Sequence, residues 1–117
     1  MPNLDLATPL PEQVIVRGEN HEVSFHVHNA DTEQNFNWSG YTPRAVITVG
    51  SASISAASFS VISQAGGTAQ VIFTASQTGG ITKASWGSLI LYADPTANSE
   101  NLHIATVPVR FTAEAIS

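Results

Sequence analysis

Apolar residues in this chain recur at every second position, and that period fits an extended strand and excludes a helix. From Gln13 onward the alternating runs are Val14 and Val16, then Val23, Phe25 and Val27, then Ala45, Ile47 and Val49. The second half continues with Phe59 and Val61, Val71 and Phe73, Leu89 and Leu91, and Val107, Val109 and Phe111. Gly66-Gly67, Gly79-Gly80 and Asp94-Pro95 separate these runs as turns. Because successive side chains of a strand point to opposite faces, each run predicts one half-buried strand, about seven in all. Only the stretch from Ser76 to Lys83 leaves room for a single helical turn. The class is all-β, and the strand spacing predicts a sandwich with Greek-key connections, an open barrel being the alternative. Pro108 lies inside the last run and has no N–H to give a ladder, so that strand is expected to lie at an edge or to carry a bulge there.

A chain of 117 residues is the size of one domain. Residues 1–12 hold Pro2, Pro9 and Pro11 among Leu4, Leu6 and Leu10, which rules out a helix or a central strand and predicts an extended arm. Residues 13–117 form the sandwich, and the arm is expected to rest on the sandwich edge or on a neighbouring subunit. With no Cys there is no disulfide, no thiolate metal site and no thiol nucleophile, so the fold rests on packing alone.

Charged residues make up only 11% of the chain, and Ala, Ser and Thr fill much of the remainder, so large parts of the surface are expected to face other protein. The net charge of −5, with Arg17, Arg44, Lys83 and Arg110 as the fixed cations, leaves no basic stripe for nucleic acid. No apolar run approaches a membrane span, and the start has no leader pattern.

His26-Val-His28 is the first candidate to weigh for chemistry, because alternation puts both imidazoles on one strand face beside Ser24 and Glu22. A metal would need further ligands from Glu22 or from His103, expected on a nearby strand, so His26 and His28 are weak metal candidates and no metal is expected. The competing reading is a polar outer face or a subunit contact, where histidine charge near pH 6 would tune assembly. Among the aromatics, Trp38 with Asn35 and Asn37 is the candidate sugar-stacking platform, Tyr41 reads as a packed corner residue, and Trp86 is assigned to the core. No Gly-x-Ser-x-Gly elbow is present, the acids fall mostly in turns or tails, and the glycine pairs lack the Lys of a phosphate cradle. Enzymatic activity and a cofactor are therefore not expected. Arg17 and Arg44 are expected to pair with Glu19, Glu22 or Asp31 across the sheet, contributing about 0–1 kcal/mol and setting register or docking orientation.

Val14-Ile-Val-Arg17-Gly18-Glu19, the strand ending in His28-Asn29-Ala30-Asp31, the loop closing on Gly40-Tyr41, the strand bearing Arg44 and Ile47, and the Leu89 to Tyr92 strand together resemble a known family. They are similar to the immunoglobulin-like domain of tailed-phage virion proteins, in particular the N-terminal domain of phage baseplate upper proteins. The resemblance runs from Gln13 to Thr112. Glu19 where such domains often have Asp, the Asn- and Trp-rich loop from Asn35 to Ser39, and Pro108 depart from the pattern and bear on loop contacts. The resemblance implies an immunoglobulin-like β-sandwich that serves as a docking unit in a virion. Relatives that bind hosts carry a fibre or receptor-binding segment after this domain, whereas this chain ends at Ser117. The expected function is thus a non-enzymatic accessory or decoration protein on a capsid or tail, with a tail or baseplate adaptor as one alternative and a carbohydrate-binding module as another. Its expected partners are other virion structural proteins and further copies of itself, met through Leu4, Leu6, Leu10, Arg17 and Trp38. Each arm leucine buried on a partner would contribute up to about 1.5–3 kcal/mol before ordering costs. Removing Met1 to Pro11 is expected to leave a folded monomer that no longer joins the assembly.

Overall fold

The computed structural model describes residues 4–8, 10–80, 85–96 and 101–112. Its strands are β1 (Leu4–Leu6), β2 (Gln13–Val16), β3 (His21–Asn29), β4 (Tyr41–Val49), β5 (Ala52–Ser55), β6 (Ser58–Ser63), β7 (Thr68–Phe73), β8 (Ser85–Pro95) and β9 (Leu102–Thr112). One helical turn, α1 (Ala75–Gly79), joins β7 to β8. It forms because Thr74 and Gln77 make a reciprocal capping box that satisfies its first free N–H groups.

The strands assort into two sheets, one ordered β1-β3-β7-β6 and the other β2-β9-β8-β4-β5. All pairings are antiparallel except β2 with β9. Lettered A, A′, B, C, C′, D, E, F and G along the chain, the sheets read A-B-E-D and A′-G-F-C-C′, the strand order of the immunoglobulin sandwich. The immunoglobulin-like fold expected from the sequence is thus present, with nine strands where about seven were expected. The two missed strands, β1 and β5, are three and four residues long, too short to show a period.

Val23, Phe25 and Val27 of β3 and Ala69, Val71 and Phe73 of β7 face Ala45 and Ile47 of β4, Leu89 and Leu91 of β8, and Val107, Val109 and Phe111 of β9. In β2 the expected face is reversed: Ile15 is the buried residue and Val14 is 42% exposed. Parallel pairing sets this parity, because Ile15 lies opposite the inward Phe111 and Val14 opposite the outward Arg110. In β9 the buried positions shift from Leu102 and Ile104 to Val107, Val109 and Phe111. The shift occurs where Leu91 pairs with Ala105 but Tyr92 with His103, so Ile104 is the extra residue of a bulge. Pro108 is paired with Ser88 on one side, while β2 pairs β9 only from Val109 onward, so the strand is locally an edge at the proline.

The segment expected as an extended arm, resting on the sandwich edge or on a neighbour, supplies part of a sheet of its own domain. Leu4, Asp5 and Leu6 pair with Asn29, His28 and Val27, and the Ala7 N–H donates to the His26 carbonyl at 2.9 Å. Leu4 is buried, and Leu6 and Leu10 pack against the same core. Leu4, expected at a partner contact, is thus buried in its own domain, and Leu6 and Leu10 are partly buried there. Met1 to Asn3 and Pro9 lie outside the described residues.

Leu4→Ala is expected to cost about 2–4 kcal/mol in urea unfolding, and deletion of residues 1–11 to lower the thermal midpoint clearly. A truncated domain with an unchanged midpoint would show that β1 adds nothing to the fold. Gly87 on β8 lies so close to β4 that a Cβ would overlap the Thr48 carbonyl oxygen, so Gly87→Ala is expected to destabilise by more than an exposed-strand substitution does.

Candidate binding surface

The two histidines of His26-Val-His28 do share the outer face of β3 with Glu22 and Ser24. Each has a protein partner: His26 Nε2 is 2.7 Å from Asn35 Oδ1, and His28 Nε2 meets the Asp5 carboxylate. His103 stands on β9 in the other sheet, against Thr106 and the edge of Tyr92, and so cannot complete a site with them. Among the described residues no three His, Asp or Glu side chains come together as metal ligands.

His21, at the start of β3, is the histidine that ties the sheets. Its Nε2 lies 3.1 Å from Gln13 Oε1 on β2 of the opposite sheet. Desolvation by burial pushes its pKa below the ordinary 6.5.

The aromatic assignments reverse. Trp38, expected as a sugar platform and an interface residue, is only 2% exposed and packs edge-on against Phe25 and Phe36, with centroids 6.2 and 5.0 Å away. Its ring faces are closed to any ligand. Tyr41 packs on Phe36 at 4.8 Å as the corner residue expected. Trp86, assigned to the core, is 66% exposed. The parity of β8 explains this, since inward Leu89, Leu91 and Ala93 put Trp86, Ser88, Ile90 and Tyr92 on the outer face.

Trp86 is one end of a row that crosses three strands. It is paired with Arg110, which is paired in turn with exposed Val14. The Arg110 guanidinium lies 5.9 Å from the Trp86 ring centroid. A second arginine–aromatic unit stands lower on the face, where Arg44 sits 4.0 Å over Tyr92 and its Nε donates to Asp94 Oδ2 at 2.7 Å. Asp94, fifty residues along the chain, is therefore the partner of Arg44, in place of the expected Glu19, Glu22 or Asp31. Arg17 is half-buried at the end of β2, and its Nε donates to the Thr112 carbonyl at 2.8 Å, tying two strand ends. That bond gives Arg17 a structural role within this chain.

A second surface feature lies where the sheets part. Pro43, Ala45, Ala56, Phe59, Val71 and Asp94 line a cleft of about 230 Å³ between β4 and β6. Asp94 Oδ1 is buried there with no hydrogen-bond partner among the described residues.

No protein-family model and no curated protein matches the sequence. Among solved structures, the chain is similar to titin domain M7, with 9% identity, 97% of this chain and 96% of that one covered, and a TM-score of 0.46. It is similar to a chain of the titin M10–obscurin-like 1 Ig complex, with 18% identity, both chains fully covered, and a TM-score of 0.48. A chimeric titin Z1Z2 shows 12% identity, 97% and 96% coverage, and a TM-score of 0.43. At these values the fold assignment rests on the strand order described above.

The depressed His21 pKa fixes the sign of one pH effect. Above about 6.5 the histidine is neutral folded and unfolded, and its contribution is complete. As the pH falls below that value the unfolded chain takes up a proton that the folded chain resists, so stability declines until the folded pKa is passed. Unfolding free energy is expected to drop between pH 7 and pH 5, with part of that drop absent in His21→Gln; identical pH profiles would exclude His21 as the cause.

Proposed function

We propose that this chain is a non-enzymatic structural protein of a tailed-phage particle, docking on the capsid or tail as an accessory or decoration protein. Docking uses the outer face of the β2-β9-β8-β4-β5 sheet. The observation that supports it is Trp86, a large aromatic left exposed beside Arg110 and Val14 in a single row. Trp and Arg are the residue types that most often dominate binding energy at protein interfaces, and a flat sheet face holds them in fixed register. The virion setting is supported by the sequence resemblance alone, and a tail or baseplate adaptor would present the same face. The partner is another virion protein, bound without turnover.

A glycan is the second reading, because a sugar ring can stack on the exposed face of Trp86. Its site would be Trp86 and not the buried Trp38.

Quantitative mass spectrometry of particles purified from the source of this chain tests the proposal. A copy number close to that of the major capsid subunit is expected for a decoration protein, and a few dozen copies or fewer for a tail or baseplate component. Trp86→Ala and Arg110→Ala are expected to lower incorporation at least tenfold while leaving the thermal midpoint nearly unchanged, as exposed substitutions usually do. Absence of the chain from particles, together with glycan binding that Trp86→Ala abolishes, would replace docking by the carbohydrate reading.

A further inference from the structure

A different part of the molecule carries an inference that holds whatever the Trp86 face meets. β6 pairs with β7 on one side, and among the described residues no strand pairs with its other side. Phe59 and Val61 lie opposite the fully buried Val71 and Ala69, so they point to the core side of the sheet. They are nevertheless 53% and 38% exposed, so the core is left uncovered beside them. The cleft beside Phe59 is this gap. Apart from Arg44 and Asp94 on its wall, it is an unfinished stretch of core, which distinguishes these two residues from apolar side chains scattered on an outer face.

The usual protections of a sheet edge are nearly absent. Edges are commonly guarded by charges, prolines or bulges. From Ala45 through Thr82 the sequence contains no charged side chain, no histidine and no proline. One bulge interrupts β6 between Val61 and Ser63, and the residue it displaces, Ile62, is itself 54% exposed. Every fixed charge of a molecule with net charge −5 therefore lies outside the segment that holds this edge. Two copies meeting at β6 bring no charge from this segment into the contact. A foreign partner of either charge finds no sign to read on this segment, whereas an identical strand fits it by register.

We infer that β6 pairs antiparallel with β6 of a second copy, across a two-fold axis at Ser60. Read from Phe59 to Val61, the strand is Phe-Ser-Val; reversed about Ser60 it sets Phe59 opposite the partner's Val61, and the same pair recurs by symmetry. Aromatic and β-branched residues directly opposed across strands form a favourable pair. Four apolar side chains then meet in one row beside the clefts, and the two four-stranded sheets become one of eight. The contact is small, so the dissociation constant is expected above about 1 µM.

Sedimentation velocity of the isolated chain at concentrations up to about 1 mM is expected to show a monomer–dimer equilibrium. Phe59→Lys and Val61→Lys, both at exposed positions, are each expected to shift it to monomer without lowering the thermal midpoint. Because the chain has no Cys, Ser60→Cys gives a single thiol at the axis, where directly opposed strand residues fall within disulfide reach. That variant is expected to form a covalent dimer on mild oxidation, and Ser53→Cys on β5 is not. A chain that stays monomeric with no Ser60→Cys cross-link, or a dimer that survives Val61→Lys, would overturn the pairing. No particle enters this experiment, so its outcome is separate from that of docking.

Discussion

With no disulfide to tie them, the two sheets are held by the apolar core they share, and a loop aromatic closes one end of it. Trp38 precedes β4, and it packs on Phe25 of β3 and on Phe36 of its own loop. Its backbone N–H donates to the Gln64 carbonyl in the β6–β7 turn, and its carbonyl accepts from Tyr41. Gly67 in that same turn has φ of +77°, and a Cβ there would overlap the Val27 carbonyl oxygen, so the turn closes on β3 without a side chain between them. The cost is that Trp38 Nε1 is buried without a hydrogen-bond partner among the described residues, which is on the order of 1–3 kcal/mol against folding. Edge-to-face packing of three rings in a fully buried site outweighs it.

The opposite end is fastened by polar ties in place of aromatic ones. Buried Thr78 in α1 donates to the Glu19 carbonyl and accepts from the Gly18 N–H, which locks the single helical turn onto the β2–β3 corner. His21 and Gln13 then bridge the sheets directly. Because His21 resists protonation where it stands, this end weakens on acidification.

The long strands were legible because a strand buried on one face must alternate, and β3, β4, β7 and β8 do so over most of their length. Where legibility failed, the deciding information lay outside the strand. The parity of β2 is set by its parallel partner β9, whose own parity shifts at Ile104 through a bulge that no residue type announces. Trp38 and Trp86 were exchanged because a Trp in a polar, Asn-rich loop reads as exposed and one among small residues near a strand reads as core. Only the third dimension shows that the loop folds inward and that Trp86 takes the outer parity of β8. The leucines of the first twelve residues were assigned to a partner surface, whereas Leu4, Leu6 and Leu10 pack on the core of their own chain. His26 and His28 share a face as alternation requires, yet the residues that engage them, Asn35 and Asp5, come from a loop and a short strand that periodicity cannot place.

Charge is segregated along this chain in a way that bears on how such a domain can assemble. Arg17, Arg44 and Arg110 each bind an acid, a carbonyl or an aromatic ring on the sheet that carries Trp86, so that face offers fixed, oriented donors. The β5 and β6 edges offer none, only hydroxyls, methyl groups and an uncovered strip of core. A face with placed charges selects a partner through complementarity and rejects wrong ones by desolvating them. An uncharged edge with free backbone groups selects only for another strand of matching register. On the two proposals made above, one small domain uses two kinds of contact that do not compete: docking of a different protein on the face with placed charges, and pairing of β6 with a second copy at the uncharged edge.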